Sequence, residues 1–414
     1  MNIAYYSHYF SPEIGAPSAR IHNLATQWLH MGNHVQVVTC FPNHPTGRIY
    51  PGYRAGRYLR EDFEGIDVHR HWTYVTPNKG FVKKTLGHFS YWPAAALISG
   101  PRLLAPDVAI GSSPTLFAAM AAAGLAKRRQ IPFIMEVRDL WPAIFVELGI
   151  IRNRQLIRWL ERLEMRLYHQ ATKIVVVTEA FRTKLIERSL PEKKVWTISN
   201  GADLEFWNAP RDKSDLRTRY NLDNRFVVLY IGAHGISHAL ERVLDSASEL
   251  KEDFPGIHFL FVGEGAEKEK LMQSASQRKL TNVTFIDPVS KVEVRDFYAL
   301  ADVCLVPLRN IPLFETFVPS KMFEMMAMSR PIIGSVRGEA ARILSQSGAA
   351  QVVEPEDSRA LTRALLDVYH LPDDARREMG ERGREFVARY YSRPAQARKY
   401  LEVIEAAMAE YQDR

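Results

Sequence analysis

Short apolar runs alternate with helical patterns along the whole chain, and this alternation restricts the fold more than any other feature. In the first half the predicted strands are Ile3–Tyr6, Val35–Thr39, Val108–Ile110, Phe133–Glu136 and Ile174–Val177. In the second half they are Val195–Ile198, Val227–Ile231, His258–Val262, Val283–Ile286, Val303–Val306 and Pro331–Gly334. Strands that alternate with helices form parallel sheets covered on both faces. We therefore predict an α/β protein with doubly wound sheets.

The length of 414 residues favours two domains, because one hydrophobic core rarely serves more than about 250–300 residues. The turn sequence Ser199-Asn200-Gly201 lies near the expected join. We predict an N-terminal domain over residues 1–194, completed by a C-terminal helix over 393–414, and a second domain over 195–392. Ligands of such sheets bind beyond the carboxyl ends of the strands, so two facing domains would leave a binding cleft.

Several classes of protein lack support in the sequence. The motifs G-x-G-x-x-G and G-x-x-x-x-G-K-[ST] are missing, which argues against a dehydrogenase or a P-loop enzyme. No H-E-x-x-H motif or cysteine cluster indicates a metal site, and Cys40 and Cys304 both lie in apolar runs typical of reduced, buried thiols. The chain begins on a predicted strand rather than on a basic and apolar leader, so we expect a cytoplasmic protein.

The positive charge is concentrated in the first half. Residues 1–195 contain 25 Lys and Arg against 14 Asp and Glu, whereas residues 196–414 contain 29 against 33. In the first half Lys79, Lys83 and Lys84 stand beside the aromatic residues Phe89 and Trp92, in a run too short to span a bilayer. Basic residues beside apolar ones suit a segment that lies on anionic lipid, although a solvated helix face is an open alternative. Nucleic-acid binding would also need positive charge, but no recognition motif supports it.

The segment from Val318 to Gly334 carries the strongest indication of function. Pro319 and Ser320 favour a helix start, and the apolar residues after Lys321 predict a helix buried in the interior. Glu324 falls in the first turns of that helix, one place too late for a capping box. A carboxylate there needs a partner, which ribose hydroxyls would supply, and the helix N-terminus with Lys321 could hold a phosphate. Together they suggest a pocket for a nucleoside diphosphate, although a surface glutamate on an ordinary crossover is the alternative.

Several segments fall into one pattern along the chain. The pattern comprises Phe10 to Ala16, Ser199 to Asp203, Tyr230 to Gly235, Val262 to Gly265, Ala301 to Pro307 and Pro319 to Glu324. It resembles the retaining glycosyltransferases of family 4, which have two Rossmann-like domains in the GT-B arrangement. Phe41-Pro42-Asn43, Pro45-Thr46-Gly47 and Arg138-Asp139-Leu140-Trp141-Pro142 resemble a narrower subgroup that builds bacterial O-antigen and capsule repeat units, including the N-acetyl-L-fucosamine transferases.

The resemblance implies roles for individual residues. Glu324 would bind the ribose. Asp139 would receive the acceptor proton or orient the acceptor hydroxyl; capping of a helix at Leu140 or pairing with Arg138 is the alternative. Lys321 would stabilise the departing diphosphate, so no metal or other cofactor is expected. The remaining donor-binding residues implied by the family are Gly15, Ala16, Gly232, His234, Gly263, Gly265 and Ser320. Ordinary turns at Gly15 and at Gly263–Gly265, and a loop residue without a chemical role at His234, are the alternatives.

The chain departs from the family pattern at two places. Relatives use a Glu-x7-Glu motif, but the position of its first glutamate holds Thr316, with Glu315 one residue earlier. Glu315 would supply the sugar-facing carboxylate only if a bulge realigned it. Many relatives also grip the diphosphate with an Arg and a Lys, where this chain has Ala233 and His238. We expect Lys321 and backbone amides near Ser320 to replace that pair.

The sequence therefore predicts a retaining glycosyltransferase, peripheral on the inner face of the cell membrane. Its expected partners are a nucleotide sugar, most simply UDP-linked, a polyprenyl-diphosphate-linked acceptor and an anionic membrane surface, but no nucleic acid. The sugar would be an N-acetylated deoxyamino sugar such as N-acetyl-L-fucosamine if the subgroup resemblance holds. A GT-B sugar-nucleotide C2-epimerase and a non-catalytic two-lobed binding protein are the alternatives.

Overall fold

The computed structural model describes most of the chain. It covers residues 1–13, 15–44, 46–54, 56–76, 81–113, 115–143, 146, 151–208 and 214–413, without the side chains of residues 16, 81–84, 214 and 215. The chain divides into two compact units, Met1–Asn200 with Arg393–Arg414, and Gly201–Ser392.

The first unit is built on an eight-stranded sheet with the strand order β3-β4-β2-β1-β5-β6-β7-β8. Its strands are β1 (Asn2–Tyr6), β2 (His34–Cys40), β3 (Tyr58–Phe63), β4 (Ile66–His71), β5 (Val108–Ser112), β6 (Phe133–Val137), β7 (Lys173–Val176) and β8 (Val195–Thr197). Neighbouring strands are parallel except for β3, which pairs antiparallel with β4. The carboxyl ends of seven strands therefore meet at one edge of the sheet.

Helices cover the first sheet. They are α1 (Ala16–His30), α2 (Phe81–Ala94), α3 (Leu116–Arg129), α4 (Arg154–Gln170), α5 (Glu179–Glu187) and the final helix of the chain, Arg393–Gln412. A π-helical turn spans Ala95–Ser99, and 3₁₀ turns span Gly100–Arg102 and Glu192–Lys194. The final helix packs on α1, because the Trp28 indole donates to the Ala397 carbonyl over 3.1 Å and lies against the Tyr400 ring. The last twenty-odd residues of the chain thus complete the core of the first unit.

The second unit is a six-stranded parallel sheet with the order β11-β10-β9-β12-β13-β14. Its strands are β9 (Phe226–Ile231), β10 (Ile257–Val262), β11 (Val283–Ile286), β12 (Val303–Pro307), β13 (Ile332–Ser335) and β14 (Ala350–Val353). Its helices are α6 (Ser214–Arg219), α7 (Leu240–Leu250), α8 (Lys268–Gln277), α9 (Lys291–Leu300), α10 (Lys321–Ala327), α11 (Gly338–Ser347), α12 (Ser358–His370) and α13 (Asp373–Tyr390), so that the final helix Arg393–Gln412 becomes α14. Short 3₁₀ turns span Ile236–His238 and Pro312–Thr316.

The predicted α/β class with two doubly wound sheets is confirmed. Buried apolar strands explain why the sequence pattern is reliable here, since every residue of β9 and β12 is shielded from solvent. The placement of Val195–Ile198 was wrong, however. This segment forms β8, which pairs with β7 at the edge of the first sheet, and the units divide between Asn200 and Gly201.

Candidate active site

Glycines bring two loops into contact at the carboxyl edge of the second sheet. Gly232 follows β9 and Gly263 follows β10, with φ angles of 138° and 139° that L side chains rarely adopt. A Cβ atom on Gly263 would lie 2.0 Å from the Gly232 carbonyl oxygen, and one on Gly265 would lie 2.4 Å from the His234 carbonyl oxygen. The two loops therefore pack backbone against backbone at the edge of the sheet where ligands of such folds bind.

Lys321 reaches this edge from the first residue of α10. Its Nζ lies 4.0 Å from the centre of the Tyr230 ring and 3.4 Å from the Ile231 carbonyl oxygen, beside Gly232. Among the described residues no carboxylate forms an ion pair with Lys321. Burial lowers the pKa of its ammonium to about 7, against smaller opposing effects of Cys304 and Glu324. The site thus holds a cation that an anionic ligand would stabilise.

Glu324 lies one turn after Lys321 on the same helix. The Tyr298 hydroxyl, which is fully buried, donates to Glu324 Oε2 over 3.4 Å. Burial, followed by the carboxylate of Glu324, raises the pKa of that phenol well above its usual value. Tyr298 therefore stays protonated and can hold the carboxylate in place by donating a hydrogen bond.

Helix α10 is apolar and buried as predicted. Met322, Phe323, Met325 and Met326 are all fully shielded from solvent. The helix has only seven residues, and the Ser320 side chain makes no capping hydrogen bond. The amides of Met322 and Phe323 donate to the carbonyls of Pro319 and Ser320. Those two amides are therefore already engaged within the helix, whereas the Lys321 ammonium can meet an anion.

Two histidines line the loop after β9. The His234 ring is fully buried against Tyr230, Phe261 and Phe285, and neither ring nitrogen has a hydrogen-bond partner among the described residues. His238 lies over Tyr230, with its Nδ1 3.3 Å from the Pro307 carbonyl oxygen. Burial lowers the pKa of each imidazole to about 4. Both rings are therefore neutral at pH 7.

The Gly15 loop of the first unit is fixed by a buried carboxylate. Gly15, with a φ of 152°, caps α1, and its carbonyl accepts the Ala19 amide over 3.0 Å. The Glu13 carboxylate accepts the amides of Phe10, Asn43 and His44 at 3.2, 2.7 and 2.9 Å. It joins the loops after β1 and β2, although burial raises its pKa. The side chain of Ala16 lies outside the described residues.

Asp139 lies just beyond β6, at the carboxyl edge of the first sheet. The Ser113 hydroxyl oxygen accepts the amides of Arg138 and Asp139 at 2.7 and 3.4 Å, which fixes this turn beside the end of β5. Burial raises the pKa of the Asp139 carboxyl, and the charge of Arg138 opposes the shift. A carboxylate with a raised pKa is a better proton acceptor, as the predicted role of Asp139 requires.

Glu315 has a different environment from the other predicted site residues. It lies in the 3₁₀ turn Pro312–Thr316 and its side chain is exposed, while its backbone packs against Gly338. The neighbouring Thr316 is buried and donates its hydroxyl to the Leu313 carbonyl over 2.7 Å. Of the two neighbouring residues Glu315 and Thr316, the threonine is therefore the buried one.

The predicted membrane segment is only partly described. Lys79 lies outside the described residues, and so do the side chains of Lys83 and Lys84. Phe89 is 48% exposed and contacts the half-buried Trp92 at 6.2 Å between ring centres. No helix of the described chain is long and apolar enough to cross a bilayer. Nor do His, Cys, Asp or Glu side chains of the described residues gather in threes to suit a metal ion.

Sequence reasoning missed three residues of these edges: Tyr298, Glu13 and Arg138. Tyr298 lies in α9, and nothing in its sequence context indicates that its hydroxyl meets Glu324. Glu13 reads as a surface residue of a loop, and only the fold shows the three amides around it. The sequence indicates Arg138 as part of a motif and as a possible pairing partner of Asp139, but not as a residue with unpaired donors.

Comparison with known proteins identifies both units. Residues 15–201 match the family described as the glycosyl transferase 4-like domain, and residues 212–386 match glycosyl transferases group 1. The chain is 26% identical over 400 residues to the Escherichia coli (strain K12) protein WcaI, named for glycosyl transfer in colanic acid biosynthesis. The match spans 92% of this chain and 96% of that protein.

Solved structures share the fold over nearly the whole chain. Sucrose-phosphate synthase from Thermosynechococcus elongatus matches with a TM-score of 0.75 at 19% identity, over 99% of both chains. Anabaena Alr3699/HepE in complex with UDP-glucose matches with a TM-score of 0.72 at 14% identity, over 98% of this chain and 100% of that one. The two family matches lie one after the other and together cover most of the chain. The chain therefore belongs to the GT-B glycosyltransferases of the group 1 and 4-like type.

Proposed function

We propose that the protein moves a sugar from a UDP-linked donor to a polyprenyl-diphosphate-linked saccharide, with retention of anomeric configuration, in the synthesis of a bacterial surface polysaccharide. The observation that carries the donor half is Lys321, whose ammonium lies beside the glycine loops of the second sheet and forms no ion pair with any described residue. A diphosphate would supply the missing negative charge. Glu324, oriented by Tyr298, would accept hydrogen bonds from the ribose.

The chemistry needs stabilisation of a leaving group. As the glycosidic bond breaks, negative charge grows on the diphosphate, and a fixed cation lowers the energy of that state. Lys321 fits this role because its ammonium is already desolvated by burial, so little solvent has to reorganise. In a front-face reaction the departing diphosphate accepts the proton of the incoming hydroxyl, while Asp139 orients the acceptor. This route follows from the family resemblance.

The donor and pathway rest on the relatives. HepE was solved with UDP-glucose, which favours a UDP-linked donor for this chain as well. The similarity to WcaI covers nearly the whole length of both proteins and favours the assembly of an exopolysaccharide, capsule or O-antigen unit. An N-acetylated deoxyamino sugar such as N-acetyl-L-fucosamine remains our specific proposal for the transferred group.

A lipid-linked acceptor requires access to the membrane surface. Leu86, Phe89 and Leu97 are 50%, 48% and 72% exposed, at spacings that place them along one side of α2 and the π-helical turn after it. Trp72 and Tyr74 are 49% and 44% exposed. They belong to the segment after β4, which contacts α2 because the Tyr74 amide donates to the Ser90 hydroxyl. Aromatic and apolar side chains beside basic residues suit the lipid interface.

Incubation with a panel of UDP-sugars, with and without a short polyprenyl-diphosphate saccharide, tests the proposal. A transferase releases UDP only when the acceptor is present, and NMR of the product reports the anomeric configuration. Conversion of the donor sugar without acceptor would instead identify an epimerase. Binding without release or conversion would identify a ligand-binding protein, and either result overturns the proposal.

A further inference from the structure

Two of the three nitrogens of the Arg138 guanidinium are buried without a hydrogen-bond partner among the described residues. They are its Nε and Nη1 atoms, which are shielded from solvent. No described carboxylate lies close enough to form an ion pair with it. An arginine normally uses its planar fork of donors, because an unpaired buried charge is costly. This residue follows β6 at the carboxyl edge of the first sheet, where ligands of such sheets bind.

The neighbouring carboxylate of Glu136 makes its hydrogen bonds through one oxygen, while its Oε2 has no hydrogen-bond partner among the described residues. Glu136, two residues before Arg138 and fully buried, receives the Arg20 Nε at 3.1 Å and the Ser112 hydroxyl at 3.2 Å on its Oε1. Arg20 also donates to the carbonyls of Ile198 and Ser199, so the pair is held within a network of its own. Burial lowers the pKa of Arg138 and raises that of Asp139. The charges of Glu136 and Asp139 act on Arg138, but neither carboxylate forms an ion pair with its guanidinium in the described part of the chain.

A second buried polar group lies on the adjoining loop. Thr115, only 3% exposed, precedes α3, yet its hydroxyl makes no capping bond and has no partner among the described residues. Helix α3 has fourteen residues. The aligned peptide dipoles of a helix leave partial positive charge at its N-terminus, which attracts negative charge. Ser113, two residues before Thr115, accepts the Arg138 amide and so ties the two loops together. Two guanidinium nitrogens and a hydroxyl, none with a hydrogen-bond partner among the described residues, therefore lie with a helix N-terminus at one edge of the first sheet.

We propose that Arg138, with the Thr115 hydroxyl and the N-terminus of α3, binds a phosphoryl group of a substrate. This inference rests on the proposed function for the identity of that substrate, because both the donor and the lipid-linked acceptor carry a diphosphate. A phosphoryl oxygen pair matches the geometry of a guanidinium fork, and a hydroxyl adds a further donor. Arg138 is thus a specificity-determining residue of the acceptor-side unit.

Stability and binding separate this role from a structural one. The test compares Arg138→Met and Arg138→Lys with a control, Arg129→Gln, which removes an exposed charge at the end of α3. Melting temperature is measured without ligand, and calorimetry is run with UDP, with a short isoprenyl diphosphate and with inorganic pyrophosphate. If Arg138 awaits a ligand, the Met variant keeps or raises the melting temperature. It also loses about 10- to 100-fold in affinity for at least one diphosphate.

The pattern of loss assigns the source. A loss confined to UDP places the donor diphosphate at Arg138, and a loss confined to the isoprenyl diphosphate places the acceptor there. We expect Arg138→Lys to recover part of the affinity and Arg129→Gln to match the wild type. A lower melting temperature with all affinities unchanged would show that Arg138 is structural. If no donor is turned over but pyrophosphate binding still depends on Arg138, the proposed function fails while the anion site stands.

Discussion

Lys321 is the residue on whose charge the proposed chemistry depends most. An interaction that strengthens as the glycosidic bond breaks lowers kcat when it is removed, and not only affinity. We expect Lys321→Ala to reduce kcat by about 100-fold, comparable to the loss of one oxyanion donor. Asp139→Asn should instead raise the acceptor KM and leave UDP binding nearly unchanged. Normal turnover by Lys321→Ala, measured as acceptor-dependent UDP release, would place the diphosphate elsewhere.

The same lysine predicts a pH dependence of donor binding. Its pKa of about 7 lies well below the usual lysine value, so the free protein loses this charge as pH rises through neutrality. Between the two values the unfolded chain holds a proton that the folded chain lacks, so this group's contribution to the free energy of unfolding increases with pH. A bound diphosphate favours the charged form. We therefore expect the affinity for a UDP-sugar to fall about 10-fold from pH 6 to 8.

Two features allow this pH dependence to be assigned to Lys321. The pKa values of His234 and His238 lie near 4, so both rings stay neutral across the measured range. The diphosphate of a UDP-sugar carries no terminal phosphate that titrates there. Calorimetry on Lys321→Met should show weak affinity that no longer changes between pH 6 and 8. A wild-type affinity that is independent of pH would contradict the assignment.

Glu324 tests the nucleotide contact without involving the sugar. Removing a hydrogen bond between a carboxylate and a buried hydroxyl costs about 1.5–3 kcal/mol, or about 10- to 150-fold in affinity. We expect Glu324→Ala to show this loss for free UDP as well as for a UDP-sugar. Tyr298→Phe is the graded control, because it removes only the 3.4 Å hydrogen bond that orients the carboxylate. Unchanged UDP affinity in a folded Glu324→Ala protein would exclude ribose binding by this residue.

At the scale of elements, the close packing of the loops after β9 and β10 leads to a separate prediction. Gly263 has a φ that L side chains rarely adopt, and a Cβ added to it would lie 2.0 Å from the Gly232 carbonyl oxygen. The two loops would therefore have to separate to admit a side chain. We expect Gly263→Ala to destabilise the protein by about 1–3 kcal/mol or more, and to weaken UDP binding. Gly235→Ala is the control, since Gly235 has a φ of −108° and an added Cβ would come no closer than 3.9 Å to its nearest neighbour, Ser237 Oγ. Equal melting temperatures for the two variants would contradict the close packing.

The elements that the sequence predicts well are the ones buried by apolar side chains. Strands such as β9 and β12 are continuous apolar runs, so they could be read directly. The hairpin β3–β4 was missed because polar or charged side chains, Asp67, His69, Arg70 and His71, occupy four of the six buried positions of β4. Arg70 is fully buried, and its guanidinium binds the Glu61 carboxylate and the Cys40 carbonyl. Ion pairs across strands satisfy these groups only in the folded protein, so the hydropathy pattern cannot indicate the strand.

The candidate site was predictable in part for a similar reason. Lys321 and Glu324 stand out because they are charged residues at the start of an apolar helix. Their partners come from elsewhere in the chain: the Tyr230 ring lies 91 positions before Lys321, and Tyr298 lies 26 before Glu324. The join between the units was misplaced because β8 is short and precedes the turn signal directly. Contacts between distant segments decide these features, and one sequence does not contain them.

At the scale of the whole molecule, the uneven charge predicts where an anionic surface is met. Residues 1–195 carry the excess of Lys and Arg, and apolar side chains of α2 are exposed in the same part of the chain. Replacing Lys79, Lys83 and Lys84 with Glu should release the protein from vesicles rich in anionic lipid, at roughly 1 kcal/mol per charge. Raising the salt concentration should have the same effect, because screening acts over about 10 Å at 0.1 M.

A matched variant separates local docking from general attraction. Lys270, Arg342 and Arg377 are exposed cations of the second unit, so changing them to Glu alters the net charge by the same amount. We expect that protein to sediment with the vesicles nearly as the wild type does, because its basic first half is intact. If both triple variants lose binding equally, the attraction is a property of net charge alone. Indifference of the wild type to both salt and charge reversal would leave the exposed face of α2 with no role at a membrane.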